Sequence, residues 1–204
     1  MIKTLTQAML ITFITAVVLT GVHHWTAPAI EQAQQRQQNA ALANAVPPTK
    51  IDGAIRASNE TLMIDALETE ADLYWGTRDG ALSVVLMDFV TPNGYSGDIR
   101  LLVAVNPSGH VLGVRVLAHR ETPGLGDGIE IERSDWIRQF EGTSLDSPPS
   151  EAWAADRRGG AFDTLSSATI TSQAVIEAVQ SALVAYQSQS SSAWLDAIQQ
   201  NKTP

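Results

Sequence analysis

Cysteine is absent from the 204 residues. That alone removes disulfides, thiolate zinc sites, all-cysteine iron–sulfur clusters and cysteine nucleophiles. It leaves the redox compartment open. Histidine is scarce: the four are His23, His24, His110 and His119. No H-E-x-x-H or similar spacing joins them, so no metal site is expected. Basic residues are few and dispersed, 13 Lys and Arg against 22 Asp and Glu, for a formal net charge of −9. Such a chain is a poor partner for nucleic acid, which needs clustered cations against its phosphates. The G-x-S-x-G elbow of a serine hydrolase is missing, although Ser166 and Ser167 are present. Gly124-Leu125-Gly126 runs into Asp127-Gly128 without the strand, Gly-rich turn and helix order of a Rossmann site. The acids are scattered, so no carboxylate pair stands out for glycoside hydrolysis.

One stretch lacks charge altogether. Between Lys3 and Glu31 there is no Asp, Glu, Lys or Arg, and Ala8 to Val22 is almost wholly apolar. About 20 residues cross a hydrocarbon core, and Leu5 to Trp25 supplies 21. His23, His24 and Trp25 then fall at the far interface, where amphipathic side chains settle. A cleaved signal peptide is the competing reading, with Ala27-Pro28-Ala29 as its small-residue site. The length of the uncharged run and the proline inside that site favour a retained anchor. Lys3 and the amino terminus place the N-terminus in the cytoplasm and the bulk of the chain outside. The expected division is a tip and transmembrane helix over 1–30, a polar stalk over 31–50, and one exported domain over 51–204. The stalk is Gln- and Ala-rich and stops at Pro47-Pro48.

The remaining chain, 44% apolar overall, reads as α+β. Thr61 to Glu70 suits a short helix with Leu62, Met63, Ala66 and Leu67 on one face. Leu73–Thr77 and Leu82–Val90 are strand-like, with Arg78-Asp79-Gly80 as a tight turn between them. Thr91-Pro92-Asn93-Gly94 marks a further turn. Ile99–Val105 and Val111–Ala118 form a hairpin around Asn106-Pro107-Ser108-Gly109. Leu112, Val114, Val116 and Ala118 share one strand face, and Gly113, Arg115, Leu117 and His119 the other. His119 to Glu130 contains three glycines and a proline, a shaped loop of a length that is often functional. Asp135–Phe140 reads as a short helix capped by Ser134. Val175, Ile176, Val179, Ala182, Leu183 and Tyr186 recur at helical spacing, with Gln173, Glu177 and Gln180 on the wet side. Trp194, Leu195 and Ile198 suggest a last short helix.

At the start of that long helix stands Asp163-Thr164-Leu165-Ser166-Ser167-Ala168-Thr169-Ile170-Thr171-Ser172, five of whose last seven residues bear hydroxyls. Two readings stay open. Ser and Thr are ordinary capping residues. A helix start also presents unpaired N–H groups and a partial positive charge, a ready phosphate site.

Two stretches carry a resemblance: Glu121-Thr122-Pro123-Gly124-Leu125-Gly126-Asp127 and Asp163-Thr164-Leu165-Ser166-Ser167-Ala168-Thr169. Together and in this order they resemble the FMN-binding domain in the G subunit of Rnf-type (Rsx) ion-translocating electron-transport complexes. Related domains occur in the C subunit of the sodium-translocating NADH:quinone reductase. The second stretch looks like that family's flavinylation motif: an Asp, two variable residues, Ser or Thr, Gly, Ala and Thr. The resemblance implies an N-terminal anchor followed by one exported FMN-binding domain with antiparallel strands and flanking helices. It implies FMN joined through its phosphate to Thr169 by a dedicated flavin transferase that uses FAD. Asp163, Ser166, Ser167 and Ala168 would surround the attachment point, with Thr171 as a neighbouring hydroxyl. The loop residues Glu121, Thr122, Gly124, Leu125 and Gly126 would approach the flavin, their glycines allowing close backbone contact.

The implied function is electron relay between ferredoxin and NAD, coupled to ion movement across a bacterial inner membrane. The implied partners are the other membrane subunits, the flavin transferase and membrane lipid. No residue need act as acid, base or nucleophile, because the flavin supplies the redox chemistry. The quinone reductase's equivalent chain and a flavin-free anchored scaffold are the alternatives. One letter departs from the family: Ser167 stands where Gly is usual. A positive φ there would strain Ser, whereas a need for a small side chain alone would not.

Overall fold

Five strands in chain order make the frame: β1 (Arg56–Ile64), β2 (Thr69–Arg78), β3 (Ala81–Gly94), β4 (Gly97–Val105) and β5 (Val111–Ala118). The computed structural model describes residues 45–52 and 54–190, with isolated positions toward both ends. Each strand pairs antiparallel with the next, so the sheet order is β1-β2-β3-β4-β5. Short turns dictate this meander, since antiparallel neighbours need only a hairpin. Asp79 and Gly80 both take positive φ, 52° and 78°, as a two-residue Asp-Gly hairpin turn requires. After β5 the chain runs through short 3-10 turns, among them Asp127–Ile129 and Asp135–Phe140. It then enters α1 (Thr169–Gln189).

Helix α1 lies across β3, β1 and β4. Its Val175, Ile176, Val179, Ala182 and Leu183 pack with Leu73, Val85, Met87, Leu101 and Val103 of the sheet. Burying each of the Val, Ile and Leu side chains contributes about 1.5–3 kcal/mol. At the entry to α1, Phe140 lies 5.0 Å from Phe162 and 6.3 Å from Trp153 between ring centroids, and Trp136 meets Phe140 edge-on at 5.7 Å. These rings are core, and they fix the loops that lead into the helix. Ser134 caps the Asp135–Phe140 turn by accepting from Trp136 N. Trp194 meets Tyr186 edge-on at 5.8 Å; Ile198 lies outside the described residues.

The second sheet face is also covered. Val84, Leu86, Leu102 and Ala104 bury against Ala45 and Val46, each 1% exposed. A Cβ on Gly113 would fall 2.3 Å from the Ala45 carbonyl oxygen, so backbone lies directly on β5. The first described residues of the stretch read as a stalk thus pack on the sheet. Beside them Arg100 donates to both oxygens of buried Asp88, at 2.7 and 2.8 Å.

Several sequence expectations change. Residues 61–64 form the end of β1, and Asp65–Leu67 a 3-10 turn, rather than a helix over Thr61–Glu70. Leu62 and Ile64 are buried and Met63 is half exposed; a short apolar run fits either period, and pairing with β2 decides it. Thr91–Gly94 continues β3, and the turn falls at Tyr95-Ser96. Pro92 has no N–H to give, and it sits where the β3–β4 register breaks. In β5 a bulge opposite Ala104 and Val105 inserts one residue. Val111 and Val114 therefore face α1, while Leu112 joins the opposite cluster. Gln173, expected on the wet side of α1, is buried, and its side-chain oxygen accepts from Ala155 N at 3.0 Å. The loop before the helix folds back over it there. Among the described residues no helix is long and apolar enough to cross a membrane; Leu5–Trp25 lies outside them, apart from isolated positions.

Candidate functional site

The start of α1 carries no side-chain cap. Its N-cap residue is Ala168, which has no side-chain oxygen to offer. The hydroxyl-rich stretch therefore does not cap its helix in the ordinary way, and the first-turn amides are left for another acceptor. The hydroxyls have other work. Ser172 Oγ accepts from Leu165 N and donates to Ala168 O. Thr164 donates to Asp156, whose carboxyl is held below the usual range chiefly by that hydroxyl. Ser167 Oγ donates to Leu125 O at 2.9 Å, and Thr171 Oγ1 donates to Glu121 Oε2 at 2.7 Å. Among the described residues, Thr169 Oγ1 has no hydrogen-bond partner.

Those last two bonds stitch the loop after β5 to the helix start across 42 and 50 residues of chain. The loop is a shaped turn. Leu125 N and Gly126 N both donate to Thr122 O, and Gly124 takes φ +77° with its N–H on Asp127 Oδ1. Only glycine adopts that conformation without strain. Glu121, 5% exposed, is the pivot. Its Oε1 accepts from Ser96 N at 3.0 Å and its Oε2 from Thr171. A Cβ on Gly126 would meet Glu121 Cβ at 2.8 Å, and one on Gly94 would meet Glu121 Oε1 at 2.8 Å. Behind it, His119 Nδ1 accepts from Glu121 N at 3.0 Å, so Nε2 carries the proton and faces Glu130 Oε1 at 2.7 Å.

Between loop and helix lies a cavity of about 330 Å³. Glu121, Thr122, Leu125, Gly126, Ser167, Ala168, Thr169 and Thr171 line it, so the two motifs meet across one space. Gly124 shapes the turn without lining the cavity. Asp163 and Ser166 stand apart. Asp163 uses its backbone to bind Trp136 Nε1 and Gln139 Oε1, and Ser166 is exposed. Ser167 is not among the non-glycine residues at positive φ, so no left-handed strain attends the departure from glycine. Tyr95 and Ile170 also line the cavity. Motif reading missed both; an aromatic between two glycines at a hairpin tip was the available sign.

The residues suit a flavin phosphate. An uncapped helix start and free hydroxyl suit the phosphate end, and exposed Tyr95, Leu125 and Ile170 give the same cavity apolar surface for a planar ring. Among the described residues no Lys or Arg lines it.

Residues 94–184 match the sequence family described as the FMN-binding domain. Relatives that span most of the chain narrow this further. The chain is 39% identical over 165 residues to the G subunit of the ion-translocating oxidoreductase complex of Pseudomonas aeruginosa (strain UCBPP-PA14), covering 79% of this chain and 77% of the relative. It is 37% identical over 175 residues to that of Shewanella baltica (strain OS223), covering 82% of each. It is 39% identical over 180 residues to that of Pasteurella multocida (strain Pm70), covering 85% of this chain and 88% of the relative. The chain belongs to the family of G subunits of ion-translocating oxidoreductase complexes.

Proposed function

We infer that this chain is the electron-transfer component of a membrane-bound, ion-translocating oxidoreductase of the Rnf type, and that it carries FMN by a phosphoester on Thr169. One observation carries the reading. The cavity at the uncapped start of α1 is built jointly by Glu121–Gly126 and Ser167–Thr171, and the Thr169 hydroxyl in it bonds to no described residue. The amides of the first turn would hold the phosphate oxygens. Bound FMN supplies reversible one- and two-electron redox chemistry.

Electrostatics support a covalent link. Among the described residues the cavity is lined by the Glu121 carboxyl group and by no cationic side chain, so a phosphate monoester bearing nearly two charges would be held poorly. A phosphodiester bears one charge and needs no cation to keep it in place. In the attachment step the Thr169 oxygen forms a bond to the flavin-side phosphorus of FAD. The P–O–P bond breaks, AMP leaves, and the hydroxyl proton passes to the flavin transferase. The expected partners are that transferase during maturation and the other subunits of the complex afterwards.

Residues 5–25 would anchor the chain in the inner membrane, with a cytoplasmic N-terminus and a periplasmic domain, as the uncharged run implies. Protease added to intact spheroplasts then removes the domain; protection of the domain overturns that topology. For the cofactor, the full chain made with its flavin transferase should gain the mass of FMN less one water and fluoresce in a denaturing gel. Thr169→Ala should abolish both. A wild-type chain of unmodified mass sinks the reading and leaves a flavin-free scaffold.

A further inference from the structure

Five large apolar side chains stand exposed among the described residues: Met63, Tyr95, Leu125, Ile170 and Val184. Single exposed apolar residues are ordinary. Three of these five, however, gather on one cavity from three separate elements. Tyr95 comes from the β3–β4 turn, Leu125 from the loop after β5, and Ile170 from the first turn of α1. Tyr95 is the most exposed, at 70%. We propose that Tyr95 is a cofactor-positioning residue: its phenol ring is the wall against which the flavin ring packs, with Leu125 and Ile170 completing the apolar rim. This rests on the flavin reading above and names a contact which that reading lacks.

The hairpin tip that bears Tyr95 is fixed to the cavity. The N–H of the next residue, Ser96, donates to Glu121 Oε1, the same carboxyl group that accepts from Thr171 in α1. Gly94 and Gly97 pair across the turn, and Gly94 has no Cβ to push Glu121 aside. One buried carboxyl group therefore sets the distance between Tyr95 and the helix start. Such a tie is superfluous for a free surface turn. It is what holding a planar ring against an aromatic wall requires, since aromatic faces pair only at defined separations and offsets. The polar groups around Thr169 account for the phosphate; the three apolar side chains have no polar ligand to serve and match the ring.

Chemistry provides a readout independent of turnover. A phenol packed on a flavin donates an electron to its excited state and quenches emission, whereas a phenyl ring of the same shape does not. The test uses the full-length flavinylated chain in detergent, with loading measured by intact mass. Tyr95→Phe should raise flavin fluorescence yield and lifetime several-fold at unchanged loading. Tyr95→Ala should in addition make the flavin more accessible to iodide quenching. Tyr74→Phe, on the far face of the sheet, should change neither. Loaded Tyr95 variants with wild-type lifetime and wild-type iodide access overturn the proposal and leave the flavin reading standing. Tyr95→Ala that weakens copurification with other subunits while leaving emission unchanged also overturns it, because the rim is then a protein contact. A wild-type chain without the mass increment overturns both.

Discussion

Glu121 is the residue on which the site's geometry turns, and removing its carboxyl group should loosen two elements at once. Glu121→Ala takes the acceptor from Ser96 N, 3.0 Å away, and from Thr171 Oγ1, 2.7 Å away. A buried donor left unpaired costs about 1–3 kcal/mol. Thr171 is 1% exposed, so its hydroxyl belongs near the middle of that range, about 2 kcal/mol. Ser96 is exposed, so water replaces part of the loss and about 1 kcal/mol remains. The alanine variant should therefore lose about 3 kcal/mol of stability. Glu121→Gln keeps the shape. Its amide oxygen still accepts from Ser96, and its NH2 donates to the Thr171 hydroxyl, which rotates to accept; the loss should be about 1 kcal/mol. Urea unfolding of the full chain in detergent, followed by tryptophan emission, reads both values from the midpoint at a common slope. Equal losses in the two variants, or an alanine loss below about 1 kcal/mol, would refute the view that Glu121 clamps hairpin to helix.

Two further outcomes follow from the same structure. Gly94→Ala places a Cβ 2.3 Å from the Gly97 carbonyl oxygen and 2.8 Å from Glu121 Oε1; the backbone must shift, and destabilisation of about 1–3 kcal/mol is expected by the same urea assay. Burial pushes the Tyr186 phenol up to about 12. A raised folded pKa gives stability that is complete below the ordinary tyrosine pKa near 10 and lost as pH climbs toward the folded value. Unfolding midpoints should therefore fall between pH 10 and about 12, and Tyr186→Phe should flatten that limb; an unchanged limb counts against it.

The candidate site was legible in the sequence as two separated motifs because its chemistry is local. A hydroxyl run before an apolar period of 3.6 marks a helix start, and a Gly-rich loop marks a shaped turn, whatever the rest of the fold does. The hairpins around Asp79-Gly80 and Pro107 were legible for the same reason: glycine tolerates the positive φ a tight turn needs, and proline fixes its own. What stayed hidden depends on partners distant in sequence. Thr61–Ile64 is apolar in a pattern that helix and strand share, and only β2 alongside makes it a strand. The β5 bulge moves Leu112 to the other face, and no single-strand pattern reveals an extra residue. Gln173 looked wet until the Ala155 loop folded over it.

The sequence by itself determined the family and the α1 start and nominated the Thr169 hydroxyl as the proposed acceptor, since each rests on residue types at fixed short spacing. Only the tertiary structure decided how they act together. It gave Ser167 an ordinary backbone and a bond to Leu125. It turned Glu121 into a clamp whose two oxygens are already engaged. It brought Tyr95 to the cavity by a hairpin whose tip no motif described. Hydrogen bonds spanning 25, 42 and 50 residues of chain form only when the sheet and helix have packed, and that packing is a property of the whole core.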